Sequence, residues 1–188
     1  MPFSPPQGSY SGETTAIHMP TGDPADTHRY YASFDFWSVT GAAQPGLRIT
    51  VSPDDGQGSR QSFIAIADNG STGFDLTFYD SQANHPVTDP NGGFVDTVVA
   101  TGLSYGDVHS LAFDISFVDG NVIDGGGFVY GNDVVDIYVD GALVHTGTSW
   151  ESYFWTTTEG QTPPSVRAID QLLFRLSGTA VPAVSGNG

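Results

Sequence analysis

An all-β sandwich of two antiparallel sheets, a jelly roll, is the fold class this sequence predicts, and three observations predict it. The first is composition: 188 residues hold 24 Gly and 12 Pro, and 18 of the 21 acidic residues are Asp, a mixture that favours turns and starves helices. The second is periodicity, because apolar and aromatic residues recur at every second position in short segments. The third is punctuation: those segments are cut by turn signals such as Pro53-Asp54-Asp55-Gly56, Asn69-Gly70 and Asp140-Gly141.

Taken in order, residues 1–12 are rich in Pro, Ser and Gly and read as a flexible N-terminal arm, with a single jelly-roll domain expected over 13–188. Alternation then predicts strands over Arg29–Trp37, Leu47–Ser52, Gln61–Asp68, Gly73–Asp80, Phe94–Thr101, Val108–Val118, Asp133–Val139, Ala142–Thr146 and Ile169–Ser177. Parity assigns faces. Phe34 and Phe36 oppose Asp35 and Trp37; Phe74, Leu76 and Phe78 oppose Asp75, Thr77 and Tyr79. Leu111, Phe113, Ile115 and Phe117 oppose Asp114 and Ser116, and Leu172, Phe174 and Leu176 oppose Gln171 and Arg175. A core of Phe and Leu is therefore expected behind a second surface of Asp, Tyr, Trp and Arg. Asp140-Gly141 suits a two-residue type I′ turn, which sets Val139 opposite Ala142, Tyr138 opposite Leu143, Ile137 opposite Val144 and Asp136 opposite His145. In that register Ile137 and Val144 share one face, the core, and Asp136, Tyr138 and His145 share the polar face.

Charge and composition exclude several classes of function. Five basic residues, all Arg, stand against 21 acidic ones for a net charge of −16, which argues against nucleic acid and anionic membranes as partners. No apolar run approaches the roughly 20 residues that span a bilayer, so membrane insertion is not expected. With no Cys there is no thiolate chemistry and no Cys-based metal site.

The stretch from Asn132 through the Asp140-Gly141 hairpin to Trp150-Glu151 resembles the strand–hairpin–loop of concanavalin A-like lectin/glucanase and laminin-G-like sandwiches. Together with Arg167-Ala168-Ile169-Asp170-Gln171-Leu172-Leu173-Phe174-Arg175-Leu176-Ser177-Gly178-Thr179-Ala180, and with Pro45-Gly46-Leu47-Arg48 upstream, it is similar to bacterial extracellular domains of unassigned function in that superfamily. The resemblance implies a secreted or cell-surface location. Relatives of this kind continue past the Gly186-Asn187-Gly188 position into one more strand, so the domain is expected to lack its last strand or to receive it from another segment.

A Glu-x-Asp-x-x-Glu strand of the kind retaining glucanases need is absent, since Glu13, Glu151 and Glu159 share no strand. Asp35, Asp75, Asp114 and Asp136 leave an Asp-dependent glycan-cleaving enzyme as one alternative. Gly102-Leu103-Ser104-Tyr105-Gly106 matches a nucleophile elbow as a string, but a strand rather than a helix is expected after it. Asp119, Asn121, Asp124 and Asp133 lie in or beside a Gly-rich loop and offer the hard oxygen ligands that calcium prefers, although their order matches no EF-hand loop and Asp-Gly-Asn is also ordinary turn chemistry. Trp150, Tyr153, Phe154 and Trp155 could stack on sugar rings or close one end of the sandwich. The expected function is non-catalytic binding of a polysaccharide or glycan, through Trp37, Tyr79, Asp136, Tyr138, His145, Trp150, Trp155 and Arg175. A self-assembling structural subunit, associating as a homo-oligomer or filament through sheet edges, is the other alternative.

Overall fold

The computed structural model describes residues 10–15, 29–54, 60–81, 94–117, 122–123, 129–130, 133–150, 169 and 171–177. Among the described residues twelve strands follow one another: β1 (Tyr10–Thr15), β2 (Arg29–Phe36), β3 (Arg48–Asp54), β4 (Ile64–Asp68), β5 (Gly73–Ser81), β6 (Phe94–Ser104), β7 (His109–Ser116), β8 (Val122–Ile123), β9 (Val129–Tyr130), β10 (Val134–Val139), β11 (Ala142–Thr148) and β12 (Gln171–Ser177). They build a six-stranded sheet in the order β1-β12-β3-β4-β5-β6 and a four-stranded sheet in the order β11-β10-β7-β2, with β8 and β9 as a separate short pair. Every pairing is antiparallel. The molecule is an all-β, two-sheet jelly-roll sandwich, and among the described residues no helix is long and apolar enough to cross a membrane.

The core lies between the sheets and follows the period of two. Ile64, Leu76, Phe78, Val51 and Leu172 come from the six-stranded sheet; Leu111, Phe113, Ile115, Val135 and Ile137 come from the four-stranded one. Phe34, Phe36 and Phe174 pack against this cluster from its margin, and Phe34 meets Phe174 edge to face at 5.0 Å between centroids. Each fully buried large side chain of this kind contributes about 1.5–3 kcal/mol relative to exposure, so the alternation itself dictates which way each strand faces.

Two features depart from the sequence reading. Tyr10, Ser11 and Gly12, expected in the arm, belong to β1, whose backbone pairs with β12 from Tyr10↔Leu176 to Thr15↔Gln171. Its Ser, Gly, Glu and Thr content carries no apolar alternation, and among the described residues β1 is an edge strand of its sheet. The second departure is at the hairpin. Asp140 (φ 50°) and Gly141 (φ 78°) both take the positive φ that a type I′ turn demands, and Val139↔Ala142 and Tyr138↔Leu143 pair as expected. The register then slips between Ile137 and Tyr138, so that Ile137 faces His145 and Asp136 faces Thr146. Val144 is the extra residue of a β-bulge and is 36% exposed rather than in the core.

Candidate functional site

The bulge redistributes the polar residues. His145, expected beside Asp136 on the polar face, turns inward: its ring lies 5.1 Å from that of Phe78, and its Nε2 stands 3.9 Å from Asp80 Oδ2. Asp80 is buried and accepts the backbone N–H of Thr148 at 2.9 Å and its hydroxyl at 2.6 Å, tying β11 to β5 of the other sheet. Gly147 has no room for a side chain there, since a Cβ would sit 2.7 Å from Phe78 Cε1.

With His145 removed, the outer face of the four-stranded sheet reads as rows across strands. Tyr31, Asp114, Asp136 and Thr146 form one row, and Ser33, Ala112, Tyr138 and Leu143 the next. Asp35 pairs with Ser110 at one end, and Arg29, Ser116 and Val134 line up at the other. Ser33, Ala112, Ser110 and Gly141 are too small to fill the space above their strands, while Arg29, Tyr31 and Tyr138 stand up around them. A groove of about 330 Å³ results, lined by these seven residues and Asp114.

The groove is electrostatically organised. Arg29 meets Asp114 side-on, with Nε donating to Oδ1 at 2.5 Å and Nη2 donating to Oδ2. The Asp114 hydrogen bonds and charge push the Arg29 guanidinium above its ordinary value, with Tyr138 and Tyr31 adding smaller contributions in the same direction. Asp114 is buried, whereas 58% of the Arg29 side chain remains exposed, so the ion pair presents its cation outward. Asp136, directly opposite Asp114, accepts the Thr146 hydroxyl at 2.5 Å. Tyr31, 44% exposed, offers a ring and hydroxyl to solvent.

No protein-family model and no curated protein sequence matches the chain. Among solved structures it is similar to an endo-β-1,4-glucuronan lyase from the fungus Trichoderma reesei, at 15% identity over 98% of this chain and 80% of that one, with a TM-score of 0.38. That likeness brings no site residue with it. The groove is read from its own side chains.

Of the residues expected to bind a ligand, Tyr138 lines the groove and Asp136 lies beside it on the same face. Tyr79 and Arg175 belong to the six-stranded sheet instead. Tyr79 contacts Arg48 through its hydroxyl and stacks edge-on with Phe63 at 4.8 Å, while burial and the neighbouring Arg60 lower the Arg175 pKa. Trp150 is buried; its indole N–H donates to the Tyr79 carbonyl at 2.8 Å and its rings lie against Phe63 and Phe94. Trp37, 56% exposed just past β2, is not among the residues lining the groove. Trp155 lies outside the described residues, as do Asp119, Asn121 and Asp124. Asp133 is buried and engaged with Ser149, whose Oγ accepts the Asp133 N–H at 2.9 Å and whose N–H donates to the Asp133 carbonyl at 2.8 Å. Among the described residues no three acidic or His side chains cluster as metal ligands.

Sequence reasoning missed Arg29, Tyr31, Ser33, Ser110 and Ala112. The signal for β2 was present, because Arg29, Tyr31 and Ser33 share the parity of Asp35. What joins them to Asp114 and Tyr138 is the β2-β7-β10 neighbourhood, which no local pattern encodes.

Proposed function

We propose that this protein is a non-catalytic, extracellular glycan-binding module of the concanavalin A-like kind, and that it binds through the groove on its four-stranded sheet. The observation that carries this reading is the pairing of Tyr31 and Tyr138 around a floor of Ser33 and Ala112, with the Arg29–Asp114 pair fixed at one end. Tyrosine rings offer an apolar face to the C–H side of a sugar, and hydroxyl, guanidinium and carboxylate groups offer the hydrogen bonds its hydroxyls need. The hydrogen-bond commitments of Asp114 to Arg29 and of Asp136 to Thr146 favour binding over cleavage by that carboxylate pair. The test is co-sedimentation with insoluble polysaccharides. Tyr31→Ala and Tyr138→Ala should each weaken retention while leaving the fold intact, and retention unchanged in both variants would reject the groove.

A second reading, assembly through sheet edges, draws support from β6. Among the described residues it is an 11-residue edge strand, on which Val95 and Val98 are 41% and 60% exposed. Sedimentation velocity at rising salt tests it: a wild-type dimer that Val98→Lys dissolves would favour this reading, and a monomer throughout would reject it.

A further inference from the structure

Resting on the groove as the glycan site, we infer that its ligand is an uncharged polysaccharide and that polyuronates are refused. The argument is the charge of the face. Across β2, β7, β10 and β11, Arg29 is the one Arg or Lys, and it is already matched by Asp114 through two side-on hydrogen bonds. Two further carboxylates, Asp35 and Asp136, share this outer face, Asp35 exposed and Asp136 half-buried. The face therefore carries three carboxylates against one cation, within a chain of net charge −16.

A sugar acid needs a cation free to meet its carboxylate in a bidentate fork. The Nε and Nη2 edge of Arg29, the edge best shaped for that fork, is spent on Asp114. A uronate approaching the groove would meet like charge from Asp35 and Asp136 and would have to displace a buried carboxylate from its partner. An uncharged sugar meets neither obstacle. It stacks on Tyr31 or Tyr138, donates hydroxyls to Asp136 and the serines, and accepts from the outward N–H groups of Arg29.

Affinity electrophoresis of the whole chain separates the outcomes, in gels containing a soluble neutral xylan or glucomannan, in gels containing polygalacturonate, and in gels without polysaccharide. The expected result is retardation by a neutral polymer, a loss of roughly tenfold or more in affinity with Tyr138→Ala by analogy with base stacking, and none by polygalacturonate. Asp114→Asn, which frees the Arg29 fork, should add a salt-sensitive retardation by polygalacturonate that the wild type lacks. Tyr138-dependent retardation of the wild type by polygalacturonate overturns the inference while sparing the groove. Retardation in no gel, or retardation indifferent to both Tyr31→Ala and Tyr138→Ala, removes the groove itself. Should Asp114→Asn fail to fold, Asp35→Arg, at an exposed position of the same face outside the groove lining, replaces it: salt-sensitive retardation by polygalacturonate supports the inference, and its absence in the folded variant counts against it.

Discussion

His109 Nδ1 lies 2.8 Å from Asp140 Oδ2, while Nε2 of the same ring lies 3.1 Å from the Ser104 carbonyl. The buried imidazole thus clasps the turn between β10 and β11 to the turn that enters β7. Asp140 completes the clasp by accepting the Ser110 N–H at 2.8 Å and donating its own N–H to the Ser110 carbonyl at 3.0 Å. Hydrogen bonding to His109 holds the Asp140 carboxyl below the usual carboxylate range.

Acid should loosen that clasp. A carboxyl with a lowered folded pKa contributes stability that is present above its unfolded value of about 4 and is lost as pH falls through the folded value. Urea melts between pH 5 and 2 should show Asp140→Asn with a shallower acid limb than wild type. The substitution should cost about 1 kcal/mol at neutral pH, because the carboxyl is half exposed and water competes for it. Asn tolerates the positive φ of that position, so backbone strain does not confuse the result. Parallel acid limbs would sink the prediction.

Alkali acts at a different corner. Tyr105 is buried, and its hydroxyl donates to Asp68 Oδ1 at 2.6 Å; burial first, and the carboxylate second, push its pKa up to about 12. The unfolded phenol ionises near pH 10, so the folded state holds its proton more tightly across that interval. The stability Tyr105 contributes is complete below pH 10 and fades as pH climbs toward 12. Spectrophotometric titration should find a late-ionising tyrosine that Tyr105→Phe removes, at a cost of about 1 kcal/mol from the lost hydrogen bond. Titration of every tyrosine near pH 10 would contradict this.

Two glycines should fail for different reasons. At Gly147 a Cβ would meet Phe78 Cε1 at 2.7 Å and His145 Nε2 at 2.8 Å, so Gly147→Ala must push the sheets apart or displace the ring, costing about 1–3 kcal/mol. At Gly141 nothing lies within 4 Å, but φ is +78°. Gly141→Val is therefore strained by its backbone, by about 1–2 kcal/mol or more for a β-branched side chain. Thermal melts that leave either variant at the wild-type midpoint would refute the corresponding argument.

Trp150 should behave as a packing residue. Trp150→Ala is expected to destabilise by about 3–5 kcal/mol, and Trp150→Phe, which keeps most of the ring contact but orphans the Tyr79 carbonyl, by about 1–3 kcal/mol. Folded Trp150→Phe should retain glycan as wild type does. Loss of retention at unchanged stability would move Trp150 back to the ligand.

Parity carried most of the core: Phe74, Leu76 and Phe78 point inward as their spacing demands, and so do Leu111, Phe113 and Ile115. A repeat of two cannot announce an inserted residue, so the alternation alone sends Val144 to the core and His145 to the surface, the reverse of what the bulge does. Nor does a repeat of two detect β1, whose attachment to β12 is made by backbone groups that every residue carries. The groove was half legible. Tyr138 and Asp136 follow from the hairpin, but Arg29 reaches Asp114 only through a pairing between residues 85 apart in sequence, and such neighbours are set by the fold rather than by local pattern.

The pairing of β1 with β12 also governs how the chain must be made. On a ribosome, β3 and β4 emerge early, yet β3 receives its other neighbour only when β12 has been synthesised, and β1 waits for the same event. Until then the β3 edge, with Val51 and Ile49 on its inner side, is a template open to any passing strand. Folding should consequently be slow, as loop-closure entropy delays sheets built from distant segments. A nascent chain released before Gln171 would be expected to aggregate rather than to wait.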